Sequence, residues 1–473
     1  MSWYRYITEM AEQVAQWKDY VKSDPELFAA VSILNKIEKA GYKAYIVGGA
    51  VRDIIMGRAS NDIDIATNMP MEKIESLWKV HDIGKSKDFG IVVVREGGYS
   101  FEVAQFRRDG KYADGRRPED VTITGSFEKD AERRDFTINA MGIDKDGNII
   151  DYFDGTKDIK DKVLRTVGNP KKRFGEDYLR MLRAARFSAK LGFDIDPDTK
   201  QAAKDLAGNI KGLAVERIKD EIFKAASETG DKFARFISEL DDMGILDIIL
   251  PEVTKLKGFE HDPKHHPEGG VWQHVLAALK ANKVADPLVN LSILLHDVGK
   301  GVTFDLKPDG TPSFYGHAEE GVKLVNDIAD RLRMSNKEKE TLLYAVGNHM
   351  RFHLILGMKP SKIAKLVSDD NWDVLVAVAR ADEFSRGHKF MTDKDFEDIV
   401  NTAIEIKNKW GSKTVDKVMK VIDGNRVMQL TGLRPGKEVG RIIKLATEWV
   451  IDNNETDQDK IDKYILSIHK GEK

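Results

Sequence analysis

The chain has 473 residues, 41% hydrophobic and 32% charged, which is enough apolar material for packed cores and excludes a wholly disordered chain. Its 75 basic and 78 acidic side chains leave a formal net charge of −3, so no molecule-wide positive field draws in nucleic acid and such binding needs a local patch. The absence of cysteine excludes disulfides, thiolate metal sites and cysteine nucleophiles.

At about 150 residues per domain, the length predicts roughly three domains. The opening MSWYRYITEM lacks a basic segment followed by an apolar run, and nowhere do about 18 apolar residues occur together, so a soluble, cytoplasmic protein is expected. Residues 1–40 read as helix: Met10, Val14, Trp17 and Val21 recur at helical spacing, and Ser32–Ala40 continues the pattern after Pro25. From Lys43 the character changes. KAYIV is a short strand, GGAVRDIIMG a tight turn into a helix ending at Gly57, and NDIDIAT a second strand. Further strands are predicted at Ile91–Arg95, Phe101–Arg107 and Asn148–Phe153, which carries the α/β part to about residue 155. From about Asp177 onward nearly every segment reads as helix, with breaks at Gly208–Gly212, Gly258–Gly270 and Lys307–Tyr315. Nine of the 11 histidines lie between His261 and His388, which points to a metal-binding helical domain. The expected division is 1–40 (helices), 41–155 (α/β head), 156–255 (helical), 256–400 (histidine-rich, helical) and 401–473 (helical tail).

Asp62 and Asp64 sit two apart in a strand pattern, so both side chains project from one face. Paired carboxylates suit Mg²⁺, which takes oxygen ligands and leaves positions open for substrate phosphates. Glu102, on the strand FEVAQF, is the best candidate for a third acid. Upstream, Gly48-Gly49 closes a strand-to-helix turn where backbone N–H groups can approach a triphosphate, and Arg52 lies one turn on.

These residues fall in four blocks: GGAVRD (Gly48–Asp53), NDIDIAT (Asn61–Thr67), RRDFTINAM (Arg133–Met141) and EDYLRMLRAARF (Glu176–Phe187). In that order they resemble a bacterial-type CCA-adding tRNA nucleotidyltransferase, a family sharing its polymerase-β-like head with bacterial poly(A) polymerases. ERI at Glu216–Ile218 and the tail Ile422–Ile443 extend the similarity over most of the chain. The resemblance implies a mixed-sheet head, an all-α body, and addition of CMP and AMP to tRNA from CTP and ATP, with Mg²⁺ held by Asp62 and Asp64. It implies nucleotide contacts from Gly48, Gly49, Arg52, Arg134, Asp135 and Asn139, and base reading by Asp177 and Arg180, with Arg183 and Arg186 extending their face. At i,i+3 on a helix, Asp177 and Arg180 are expected to hold each other in place. Between Lys157 and Lys190, 11 basic residues face four acidic ones, a local excess suited to phosphates. The strand EVAQFRRDG departs from the family by carrying Ala104-Gln105 where a threonine pair is usual, while Glu102 and Arg107 keep their places. The loop Tyr112–Val121 is similar to the flexible loop of enzymes that add the terminal adenosine.

A second constellation is His274, His296-Asp297 and Asp382, in which LSILLHDVGK ends an apolar helix and aims adjacent ligands at one metal. It resembles the HD phosphohydrolases. That likeness implies a divalent transition metal (Mn²⁺, Ni²⁺, Fe²⁺ or Zn²⁺) and hydrolysis of phosphate esters. His317 and His349 add the two histidines of HD proteins that bind a second metal. The string HDIGK at His81–Lys85 is nearly identical to HDVGK but lacks an earlier histidine partner and runs into the strand GIVVV, so it reads as a turn of the head. A poly(A) polymerase is the alternative, against which the mixed, slightly acidic end of the chain argues. A chiefly hydrolytic HD enzyme is another; the intact carboxylate pair argues against an inactive RNA-binding protein. No protein partner is indicated.

Overall fold

The computed structural model describes residues 17–60, 62–79, 90–110, 121–262, 264, 266–387, 390–410 and 422–471. Met10, Val14, the HDIGK string and nearly all of the loop Tyr112–Val121 lie outside the described residues. The chain packs as two compact units, Met1–Glu221 with Arg235–Ile249, and Ile222–Ala234 with Leu250–Lys473.

In the first unit, helix Pro25–Lys39 starts where Asp24 accepts from the backbone N–H groups of Glu26 and Leu27 and Pro25 occupies the first turn. It buries Leu27, Ala30, Ile33, Leu34 and Ile37 along one stripe against the sheet. Gly41, at φ 87°, ends the helix and turns the chain into β1 (Ala44–Val47). The sheet continues with β2 (Asp64–Thr67), β3 (Ile91–Glu96), β4 (Tyr99–Gln105), β7 (Gly142–Ile143) and β8 (Ile149–Ile150), in the order β3-β4-β2-β1-β7-β8. Strand β2 is antiparallel to β1 but parallel to β4, so the sheet is mixed. Gly97 and Gly98 both take positive φ in the two-residue turn between β3 and β4, the geometry whose twist matches a hairpin. Phe106, Phe127, Ala131, Ala140 and Val167 form a second core cluster with Val47 and Ala66 of the sheet. The strand expected at Phe101–Arg107 divides at buried Phe106; beyond it β5 (Arg107–Asp109) pairs with β6 (Val121–Ile123) as a separate ribbon. The strand expected at Asn148–Phe153 shortens to β8, because Asp151 instead accepts from the N–H groups of Phe153, Gly155 and Thr156 and starts helix Gly155–Asp161.

Helices also begin earlier than expected, with Gly155–Asp161 and Pro170–Glu176 preceding the long helix Leu179–Leu191. Among the described residues, the second unit is helical apart from the ribbon Asp305–Leu306/Pro312–Ser313, which lies across the break expected at 307–315. Among its helices are Val271–Ala281, Pro287–Leu295, His317–Arg331, Asn336–Phe352 and Trp372–Ser385. Phe352, Trp372, Leu375 and Phe396 lie in one apolar cluster, and Ile422, Ile442, Ala446 and Ile465 in another. Among the described residues, no helix is long and apolar enough to cross a membrane.

Candidate active sites

Strand β2 begins at Asp64, and its parallel register with β4 places Ile65 opposite Val103. One step earlier on each strand stand Asp64 and Glu102, so the third acid lies beside the second. Asp62 lies just before the strand, exposed, with buried Ile63 between the two aspartates. Burial foremost, then the charges of Asp62 and Glu102, push the Asp64 carboxyl up to about 6, against the pull of Arg134. A carboxyl raised by the charges of its neighbours suits a divalent cation, whose charge offsets that repulsion. Gly48 takes φ 76°, and a Cβ there would stand 3.4 Å from Arg134 Nη1 and 3.9 Å from Asp64 Oδ2. Those are ordinary contact distances, so it is the positive φ that calls for glycine at this turn.

A cavity of about 550 Å³ opens over Gly48, Asp64 and Glu102, while exposed Asp62 is not among the residues lining it. Gly48, Gly49, Asp64 and Glu102 form one part of its wall; Asp177, Arg180, Arg183 and Arg217 form another. Buried Arg52 lines it while donating to Asp53 at 2.9 Å and to Asn139 Oδ1 at 2.8 Å. Asn139 in turn donates to Asp135 Oδ1 at 3.3 Å, and Arg183 Nε donates to Asp135 Oδ2 at 2.8 Å. Burial alone would raise Asp135, but Arg183 and Arg180 hold its carboxyl down at about 2. Arg134 and Arg133 are clamped by one buried carboxylate: Asp130 Oδ2 accepts from Arg134 Nη2 at 3.0 Å and Oδ1 from Arg133 Nη2 at 2.8 Å. Arg186 donates to Glu221 at 2.6 Å and lies over Phe187, and it is not among the residues lining the cavity.

Asp177 and Arg180 both reach the cavity, but they do not restrain each other as expected. Asp177 is extended, at φ −151° and ψ 106°, in the break between helices Pro170–Glu176 and Leu179–Leu191. Its carboxylate accepts from Arg217 Nη2 at 2.7 Å and from the Leu179 N–H at 3.0 Å. Arg180 donates to Glu176 at 2.7 Å and to the Arg173 and Arg133 carbonyls at 2.9 and 3.1 Å. Asp177 and Arg180 do not meet because the helix is interrupted at Asp177. Arg217 and Glu176 lie within the ERI and EDYLRMLRAARF motifs, but only the fold brings them to Asp177 and Arg180. The basic excess of Lys157–Lys190 is partly neutralised: Lys171 pairs with Asp205, Arg165 with Asp158 and Asp196, and Arg173, Arg180, Arg183 and Arg186 each have carboxylate partners.

In the second unit, buried His274, His296, Asp297, His317, His349 and the shielded Asp382 converge from five helices or their ends. His274 Nε2 is 3.3 Å from His296 Nε2 and 3.1 Å from Asp382 Oδ1, forming one ligand group. His317 Nε2 is 3.1 Å from His349 Nε2, and Asp297 completes a second group. Asp297 faces both. Its Oδ2 lies 3.3 Å from His296 Nε2, and its Oδ1 lies 3.4 Å from His317 Nε2. Nδ1 of His296, His317 and His349 is hydrogen-bonded to the carbonyls of Ile293, Phe314 and Val346, which turns each Nε2 inward. Inward lone pairs and a shared carboxylate fit a pair of divalent ions. Two further groups went unseen in the sequence. Lys300 donates to Asp297 Oδ2 at 2.6 Å, and Glu268 is 2.7 Å from His274 Nδ1. The acid in HHPEGG, six residues before His274, was the available signal for the latter.

A mixed-sheet head bearing paired carboxylates, joined to a helical histidine–aspartate unit, defines a nucleotidyltransferase architecture with an HD domain. The Poly A polymerase head domain family matches residues 44–165, the family described as "Probable RNA and SrmB- binding site of polymerase A" matches 192–257, and the HD domain matches 270–387. The CCA-adding enzyme of Lactobacillus helveticus is 43% identical over 326 residues, 65% of this chain and 79% of that enzyme. The CCA-adding enzyme of Leuconostoc mesenteroides is 46% identical over 199 residues, 42% of this chain; the chain spans about half of that relative, 49%. In fold it is similar to the Bacillus stearothermophilus CCA-adding enzyme in complex with CTP, with a TM-score of 0.71 and 24% identity over 95% of this chain and 99% of that one. The Thermotoga maritima CCA-adding enzyme complexed with tRNA gives a TM-score of 0.57 and 20% identity over 94% and 96%. The chain belongs to the CCA-adding enzyme family.

Proposed function

We propose that the chain adds CMP and AMP to the 3′ end of tRNA without a nucleic-acid template, using CTP and ATP. The observation that carries this reading is the single cavity that brings Asp64 and Glu102 to one wall and Asp177 and Arg180 to another. The acids supply the polymerase chemistry, and the carboxylate–guanidinium edge supplies a fixed hydrogen-bonding face for a base. Asp62, Asp64 and Glu102 would hold Mg²⁺, which when bound activates the attacking hydroxyl and steadies the leaving pyrophosphate. Arg134 and Arg133, spread by Asp130, face the same space and suit the triphosphate. Arg52, Asn139, Asp135 and Arg183 line the same cavity and are joined by a chain of hydrogen bonds that fixes its wall.

The histidine–aspartate unit supports a second activity, metal-dependent hydrolysis of phosphate esters such as a 2′,3′-cyclic nucleotide. His274, His296, Asp297, Asp382, His317 and His349 would hold the ions, of Mn²⁺, Ni²⁺, Fe²⁺ or Zn²⁺ type, and the shared Asp297 favours two over one. Nucleotide incorporation into three tRNAs ending before C, before CC and before A, with CTP and ATP supplied separately, tests the first activity. CMP then AMP addition in that order is the expected result. Long adenylate tails on any RNA end would instead assign a poly(A) polymerase.

A further inference from the structure

Each histidine of the metal centre has its Nδ1 tied outward, but not to equivalent partners. His296, His317 and His349 meet neutral backbone carbonyls at 2.7, 2.9 and 2.7 Å. His274 instead meets the carboxylate of Glu268, whose Oε1 is 2.7 Å away. Ser385 Oγ is also near, at 3.2 Å, but its proton is donated to the Asp382 carbonyl at 2.6 Å, so towards His274 it is an acceptor. Two acceptors at Nδ1 draw an imidazole proton outward, and Nε2 is the nitrogen turned towards His296 and Asp382, where an ion would take its lone pair.

From this geometry we infer that Glu268 is a positioning residue for the centre, strengthening the ion site of His274, His296 and Asp382 while leaving that of Asp297, His317 and His349 untouched. The inference rests on the two-ion reading above. A buried carboxylate behind an imidazole fixes its tautomer and raises its basicity, and loss of such a partner costs about 10–100-fold in metal affinity. Glu268 is well placed for that work because it is itself fixed, its Oε1 also lying 2.9 Å from His266 Nδ1. His261, His266 and Glu268 do lie within ligand distance of one another, but they do not form a third ion site. Lys300 Nζ is 3.0 Å from His261 Nε2 while it donates to Asp297, so an ammonium proton fills that lone pair and a positive charge stands beside the group. The same Lys300 charge, after burial, holds the His261 imidazole neutral. The cluster buttresses the centre from outside.

The test is Co²⁺ binding to the metal-depleted full chain, followed by the visible absorption of histidine-bound cobalt and by bound ion per chain at equilibrium. His274→Ala and His317→Ala should each remove one of two histidine-bound ions. In Glu268→Gln one of the two should weaken about 10–100-fold and the other remain as in the wild type, and Glu268→Ala should weaken the same ion at least as far. Thermal melting of each variant reports on folding. Two unchanged affinities in both Glu268 variants would overturn the inference, as would equal weakening of both ions with a lowered melting temperature. If neither histidine variant removes an ion, the two-ion reading itself has failed, an outcome distinct from failure of Glu268 alone.

Discussion

Asp64 pays for its position with its acidity: in its partly buried place beside Asp62 and Glu102, its carboxyl is pushed up to about 6. A proton and Mg²⁺ compete for that carboxylate, so the Mg²⁺ concentration needed for half-maximal CMP addition should rise about tenfold per pH unit below 6. A requirement flat from pH 5 to 8 would remove Asp64 from the ion site. Asp62→Ala and Asp64→Ala should each abolish incorporation. Asp135 behaves oppositely, since its folded value of about 2 lies below that of an unfolded aspartate. It therefore stabilises the first unit above the unfolded value and ceases to as pH falls towards 2. Asp62 and Asp64 stood out as candidate chemistry from their spacing. The partners of Asp177 did not, because a three-residue interval implies contact only on an unbroken helix and Asp177 is extended. Base selection should thus depend on Arg217 as well: Arg217→Ala frees the Asp177 carboxylate and should reduce discrimination of CTP and ATP over UTP and GTP by about 1–3 kcal/mol. Nucleotide misincorporation measured beside Asp177→Ala decides this, and unaltered selectivity in Arg217→Ala would show that the pair does not set the reading edge.

At the scale of elements, local chemistry and tertiary contact can be separated. The helix Pro25–Lys39 announces itself through Asp24, Pro25 and a regular apolar stripe, and its cap is independent of the sites. Asp24→Ala should cost about 1 kcal/mol of stability in chemical denaturation and leave nucleotide addition intact. The apolar run Leu291–Leu295 likewise made the helix before His296 legible. Short elements were harder. The run Asn148–Phe153 is rich in strand-forming side chains, yet Asp151 draws the backbone after it into a helix start. The ribbon β5–β6 depends on a partner distant in sequence, which periodicity does not report. The basic stretch Lys157–Lys190 gave a charge excess along the chain, but charge counted in sequence does not measure field in space. Glu176 from an adjacent turn, and buried Asp135 and Glu221 from elsewhere in the fold, neutralise its arginines.

Across the whole molecule, the two ligand sets occupy different compact units, the carboxylates in the first and the histidines in the second. The proposed activities should therefore be separable by single substitutions. Asp297 is the sharpest probe because its two oxygens serve both histidine groups and it is paired with Lys300. Asp297→Ala removes the anion that balances two cations and leaves the Lys300 ammonium facing the centre without its partner. Both effects act in one direction. The variant should lose most bound transition metal together with metal-stimulated hydrolysis of a 2′,3′-cyclic nucleotide. Addition of CMP and AMP should persist, since Asp62, Asp64 and Glu102 are unchanged. Metal content and both activities measured on one preparation check this, with Asp64→Ala as the reciprocal case. Hydrolysis undiminished in a metal-free Asp297→Ala protein would return the histidines to a structural role, and loss of both activities together would show that the two units are coupled.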